Sequence, residues 1–75
     1  MNIGMLWQDN DEKQDLEAKV ARAADHYRRK FGQQPDICFV HPSLASEPTT
    51  KAGVAVRPSR TVMRGLLWIG VKENE

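Results

Sequence analysis

Three side chains in this sequence are of types that act as nucleophiles or metal ligands, namely His26, Cys38 and His41. Cys38 and His41 are three residues apart in an apolar stretch that predicts a β-strand. Their side chains should therefore point to opposite faces of the sheet and cannot form a thiolate–imidazolium pair. A zinc site needs three or four ligands at local spacings such as C-x-x-C, whereas these residues occur singly. We predict no catalytic, cofactor or metal site, and we expect Cys38 to be buried and inert to thiol reagents in the native protein.

His41 is followed by Pro42 and Ser43, and a histidine beside a serine is a combination found in hydrolases. The sequence offers no acidic residue to orient the histidine and no G-x-S-x-G turn, so we expect His41 to hydrogen-bond a loop carbonyl or to face solvent. A cavity that encloses a substrate would also consume most of the core of a 75-residue domain. We therefore predict that the protein is not an enzyme.

Basic side chains form a second group that could bind a ligand. Arg57, Arg60 and Arg64 follow one another closely, and Lys51 lies at the far end of the same predicted hairpin. With Trp68 nearby, they have the mixture of positive charge and aromatic surface that binds single-stranded nucleic acid. No aromatic pair at strand spacing is evident, however, and the formal net charge is only +1, which favours solvated arginines. A weak nucleic-acid-binding module that uses a basic hairpin edge is the alternative function.

One long amphipathic helix must position these groups. Residues 12–31 place apolar side chains on one arc, about a quarter of a turn wide, and Tyr27 and Phe31 are expected to anchor that stripe in the core. Asp11, with Gln14 three residues on, resembles a capping box at the start of the helix. Gly32 suits the left-handed residue that closes a helix. The full stripe consists of Leu16, Val20, Ala23, Ala24, Tyr27 and Phe31.

Three apolar stretches after the helix predict three β-strands, at residues 36–41, 54–57 and 66–71. Residues 3–7 could add an edge strand, and residues 42–53 contain no periodic pattern and predict a loop. We predict an α+β fold in which one long helix packs on a three-stranded antiparallel sheet, with residues 1–75 forming a single small domain.

The sheet should have one apolar face that the helix does not cover. Ile37–Val40 and Leu66–Val71 are apolar at odd and even positions alike, so burying one set leaves the other outward. The outward set would hold either Cys38 and Val40 or Ile37 and Phe39, together with either Trp68 or Leu67 and Ile69.

This face predicts the favoured function, a non-catalytic interaction module that binds a protein partner or a second copy of itself. Trp68 would anchor the contact, with Arg57, Arg60 and Arg64 at its polar rim. The competing interpretation is that the 42–53 loop or the N-terminal segment folds over the same face.

Composition limits the cellular setting. The hydrophobic content of 40% and the charged content of 28% are typical of a globular domain rather than a disordered one. Cys38 is the only cysteine, so no internal disulfide and no oxidising compartment are implied. The sequence shows no signal peptide and no apolar run that approaches the roughly 20 residues needed to cross a bilayer, so we expect a cytoplasmic protein with no membrane partner.

Several short motifs occur in a distinctive order along the chain. They are Tyr27 to Gly32, Pro35, Val40-His41-Pro42, Gly53-Val54 with Val56, and Trp68-Ile69-Gly70. In this order the chain resembles a small uncharacterised bacterial domain family, from residue 9 onward. The resemblance brings no activity, cofactor or catalytic residue with it, and implies only a small bacterial domain.

Overall fold

The computed structural model describes residues 3–11 and 13–71, which contain one helix and five strands. In chain order the elements are β1 (Ile3–Gln8), α1 (Leu16–Phe31), β2 (Ile37–Val40), β3 (Thr49–Lys51), β4 (Val54–Pro58) and β5 (Leu66–Val71). The strands form one sheet of order β1-β5-β2-β4-β3. Strand β5 is antiparallel to both β1 and β2, β2 is parallel to β4, and β3 is antiparallel to β4.

The α+β class is as predicted, but the three-stranded antiparallel sheet is wrong, because the sheet has five strands and is mixed. Residues 3–7 do form an edge strand, β1. Strand β3 lies inside the predicted 42–53 loop and consists of three polar residues without an apolar pattern. It forms because Ala52 and Gly53 adopt positive φ values of 52° and 76°, the two-residue turn that joins antiparallel strands. The chain thus passes from β2 to the outer edge and returns as β4, which makes β2 and β4 parallel neighbours.

Helix α1 begins later than predicted and ends where predicted. Its N-cap is Asp15, whose Oδ1 accepts from the backbone N–H of Ala18 at 2.9 Å. The predicted capping box at Asp11 is wrong, because the Asp11 carboxylate instead accepts from the N–H of Lys13 at 3.0 Å and closes a turn ahead of the helix. Residue 12, the predicted first residue of the helix, lies outside the described residues. Gly32 is confirmed as the closing residue, with φ of 73° and its N–H donating to the Arg28 carbonyl at 2.8 Å.

The helix covers one face of the sheet, and the core lies between them. The fully buried residues of this core alternate along the three central strands and meet the apolar stripe of α1. They are Val20, Ala23, Ala24 and Tyr27 from the helix, with Cys38, Val40, Val54, Val56, Leu67 and Ile69 from the sheet. No helix within residues 3–11 and 13–71 is both long and apolar enough to cross a membrane.

Phe31 is not a core residue, which corrects one expectation from the stripe. Tyr27 is fully buried, whereas Phe31 is 40% exposed. Phe31 is the last residue of the helix, and its ring lies against that of Tyr27 at a centroid distance of 4.5 Å instead of entering the core. On the solvent side of α1, Asp25 and Arg29 lie four residues apart and form an ion pair at 3.2 Å.

Candidate functional site

The face of the sheet opposite α1 carries an aromatic and apolar row. Strand pairing places Leu6, Trp68, Phe39 and Arg57 side by side, one from each of four neighbouring strands. Because residues directly opposite one another share a face, all four side chains lie on the side away from the helix. The outward set predicted as Ile37 and Phe39 with Trp68 is therefore the one that occurs.

Trp68 and Phe39 form the centre of this row. Their ring centroids are 5.6 Å apart and the ring planes are inclined at 55°, a geometry that is favourable for aromatic pairs. The indole of Trp68 lies directly over Gly4, so closely that a Cβ atom on Gly4 would overlap the six-membered ring. Glycine at position 4 therefore lets the tryptophan lie flat against the edge of the sheet.

An open groove of about 470 Å³ runs beside the row. Leu6 and Met63 stand at its sides and are 62% and 70% exposed, whereas Val62 is almost buried. The loop 59–65 supplies one wall, and its backbone is tied to β2 by the Ser59 N–H donating to the Val40 carbonyl at 2.7 Å. The lining residues are Leu6, Phe39, Ser59, Thr61, Val62, Met63, Leu66 and Trp68. We call this set the open-face groove.

Neither predicted cover lies over the open face. Leu44 and Ala45 of the 42–53 loop pack against the core on the helix side of the sheet. The N-terminal segment joins the same sheet as β1 rather than folding across it. Among the described residues, loop 59–65 borders the open-face groove, chiefly through Val62, and Thr50 of β3 lies on the same face opposite Ala55.

The four basic residues do not form one edge, which corrects the predicted basic hairpin. Arg57 lies on the open face opposite Phe39. Lys51 is opposite Val54, a core residue, and so emerges on the helix side. Arg64 lines a separate pocket together with Asp9 and Lys19. Arg60 is exposed on the loop between β4 and β5. An aromatic pair arises across strands instead of at strand spacing in the sequence, because Phe39 and Trp68 become neighbours once β2 and β5 pair.

His26, Cys38 and His41 are not brought together. Cys38 faces the core and His26 lies on α1 with its ring 4.9 Å from that of Trp7. The Nδ1 atom of His41 is 2.8 Å from Ser43 Oγ and accepts from the Ser43 N–H at 3.0 Å. No carboxylate in the described part of the chain hydrogen-bonds the ring, so His41 and Ser43 close a local turn rather than form a triad. Residues 3–11 and 13–71 also contain no cluster of three metal-ligating side chains.

Burial makes the Cys38 thiol a poor nucleophile. The side chain is fully buried, as predicted, and burial raises the pKa of the thiol from its ordinary value of 9.0 to about 12. We expect native protein to react with a thiol reagent only as fast as it unfolds, and reaction should become immediate in urea. Rapid labelling of the native protein would contradict the buried position of Cys38.

The same thiol should make stability fall above pH 9. The unfolded thiol loses its proton near pH 9 while the native thiol keeps it to about pH 12, so stability decreases as pH rises through that window. At pH 10 the loss from this group amounts to about 1.4 kcal/mol. Urea unfolding of wild type and Cys38→Ala at pH 8 and pH 10 measures this loss. Between the two pH values the free energy of unfolding should fall by about 1.4 kcal/mol less in the variant than in wild type. Equal losses in the two proteins would contradict the prediction.

Comparisons with protein-family models, with curated proteins and with solved structures find no match to this chain. Its class is therefore defined by its own architecture, a small α+β domain whose mixed sheet has one helix-covered face and one open apolar face. The resemblance to a bacterial domain family stays a prediction.

Sequence reasoning named Trp68 and Arg57 but missed Leu6, Met63 and Gly4 as parts of this surface. Alternation along residues 3–7 was a usable signal for Leu6, since it puts residues 5 and 7 on one side of the strand and residue 6 on the other. Nothing in the sequence signalled that β1 would pair with β5 and so bring Gly4 beneath the Trp68 indole.

Proposed function

We propose that this chain is a non-catalytic interaction module that binds a second copy of itself through the open-face groove. The observation that carries the proposal is the exposed apolar row, in which Leu6 and Met63 protrude beside the Trp68–Phe39 pair. A solvent-exposed apolar surface with large side chains at its centre is typical of a protein-binding site. The hydroxyl groups in the groove are engaged with each other, since Ser59 Oγ and Thr61 Oγ1 are 2.8 Å apart, which supports a binding rather than a catalytic role.

The order of residues along the row favours a second copy as the partner. A two-fold axis parallel to the strands would place Trp68 against Phe39 of the other copy, and Leu6 against the aliphatic stem of Arg57. The two Arg57 side chains would then lie at opposite rims, separated along the row by three strand spacings or about 14 Å. That separation exceeds the Debye length of about 8 Å, so the like charges would not oppose association.

Substituting Trp68 tests the anchor. Trp68→Ala should weaken dimerisation by about 30-fold or more, because a central tryptophan commonly contributes over 2 kcal/mol to an interface. The association constant is measured by sedimentation velocity across a range of protein concentrations. A wild-type protein that stays monomeric at all accessible concentrations would overturn the proposal.

A second variant separates binding from folding. Leu6 is 62% exposed, so Leu6→Lys should fold normally while placing a like charge beside Arg57 of the other copy, which should abolish the dimer. Phe31→Ala is the matched control, because Phe31 is an exposed aromatic residue at the far end of α1 and outside the groove. Unchanged association in Leu6→Lys would rule out this face.

A second candidate function rests on the Trp68–Phe39 pair with Arg57 beside it. Aromatic rings on adjacent strands can stack two bases, and a neighbouring arginine can contact the phosphate backbone. In this case a fluorescent oligothymidine would bind monomeric protein, with affinity that falls steeply as salt increases. Binding lost in Trp68→Ala and in Arg57→Gln would favour this candidate over self-association.

A further inference from the structure

A second pocket lies at one end of the helix–sheet interface, away from the open-face groove. It has a volume of about 280 Å³ and is built from four separate segments of the chain. The Asp9 N–H donates to the Gly65 carbonyl at 2.9 Å, and the Leu44 N–H donates to the His41 carbonyl at 2.9 Å, so its walls are held by backbone hydrogen bonds. The lining residues are Asp9, Asn10, Lys19, Ser43, Leu44, Arg64 and Gly65.

Two cations line this pocket without a side-chain partner among the described residues. Lys19 is only 9% exposed, and no side chain in residues 3–11 and 13–71 forms a hydrogen bond or ion pair with it or with Arg64. Its ammonium is not sealed inside the protein, because the only fully buried and unpartnered side-chain nitrogen or oxygen in the described residues is Trp7 Nε1. The stem of Lys19 is therefore buried while its charge reaches the pocket wall.

The carboxylate in the pocket is already neutralised. Asp9 is almost fully buried, and its Oδ2 accepts from the Arg22 guanidinium at 2.7 Å. The two remaining lysine and arginine charges thus give the pocket a positive balance, beside the polar side chains of Ser43 and Asn10. Charged and neutral donors arranged around one cavity are the usual components of a phosphate site.

We propose that this pocket binds a phosphate group, either free or as the monoester of a small molecule. Lys19 and Arg64 supply the charge-assisted hydrogen bonds, while the amide of Asn10 offers a neutral donor. The volume of about 280 Å³ leaves room for part of the molecule that carries the phosphate. The site is independent of the proposed dimer, because none of its lining residues belongs to the open-face groove.

Titration with inorganic phosphate, followed by amide NMR shifts at constant ionic strength, tests the site. Saturable shifts should centre on Asn10, Ser43 and Gly65. Arg64→Gln should weaken binding about tenfold or more, because it removes a charge-assisted contact. Arg60→Gln is the matched control, an exposed arginine of the same loop that does not line the pocket, and it should bind phosphate as wild type does.

A second pair of variants examines the buried lysine. Lys19→Met keeps the apolar stem and should fold, yet lose phosphate binding about tenfold or more, whereas Lys13→Met should not. A parallel titration with glycerol 3-phosphate shows whether the ligand is free phosphate or a phosphate monoester. Tighter binding of glycerol 3-phosphate than of inorganic phosphate identifies a monoester, and equal or weaker binding identifies free phosphate. Shifts that sodium chloride reproduces, or that survive in both Arg64→Gln and Lys19→Met, would overturn the proposal.

Discussion

Replacing Tyr27 by alanine is expected to leave the protein largely unfolded at room temperature. Tyr27 is fully buried and is the largest of the fully buried side chains. Truncating a buried aromatic residue costs roughly 3–5 kcal/mol, from lost burial and from the cavity that remains. A domain of 75 residues has little more than that amount of stability in total, about 5 kcal/mol or slightly above. Urea unfolding followed by circular dichroism gives the free energy of each variant.

Phe31→Ala is the matched control for Tyr27→Ala. The two aromatic residues lie one helical turn apart and touch each other, but Phe31 is 40% exposed at the end of α1. Its loss should cost about 1–2 kcal/mol, because part of its apolar surface stays in water in the native protein. Similar destabilisation by both substitutions would show that the core extends to the end of the helix.

Placing a methyl group at Gly4 should disturb the open face more than any other single-carbon change there. A Cβ atom at this position would overlap the Trp68 ring, so the indole must lift away from the sheet or the strand must shift. Overpacking of this kind costs roughly 1–3 kcal/mol. Gly4→Ala should therefore lower the free energy of unfolding, shift the NMR signal of the Trp68 indole N–H, and weaken association through the open-face groove.

A double-mutant cycle identifies the cause of that loss. Once Trp68 is replaced by alanine, the ring atoms that the new methyl group would overlap are gone, and Gly4→Ala should become neutral or slightly stabilising because alanine loses less backbone entropy than glycine. The sign of the effect should thus reverse between the two backgrounds. If Gly4→Ala destabilises both proteins equally, the close packing of Trp68 over Gly4 is not the reason.

The sequence alone was sufficient wherever structure depends on near neighbours along the chain. The apolar stripe of α1, the closing glycine at position 32 and the pair of Asp25 and Arg29 all arise within one or two helical turns, and all were predictable. The three apolar strands were also found, at nearly their observed limits, because each carries its own apolar pattern.

Pairing between distant segments could not be read in the same way. Strand β3 is polar and exists only because β4 supplies its hydrogen-bond partners, and β5 lies between β1 and β2 although it comes last in the chain. Strand order depends on long-range hydrogen bonds and on the packing of the whole sheet, which no local pattern records.

Both candidate sites follow from that order rather than from any motif. Phe39 and Trp68 become a pair because β2 and β5 are neighbours, and Gly4 lies under Trp68 because β1 joins the edge. Lys19 stood beside the apolar stripe in the sequence, but its place with Arg64 and Ser43 in the lining of one pocket required the loops after β2 and before β5 to come close to α1. The sequence by itself determined the helix, the apolar strands and the existence of an uncovered apolar face. The tertiary structure decided which side chains share that face and which cations share a pocket, because strand alternation restricts a side chain to one of two faces while strand pairing selects its neighbours.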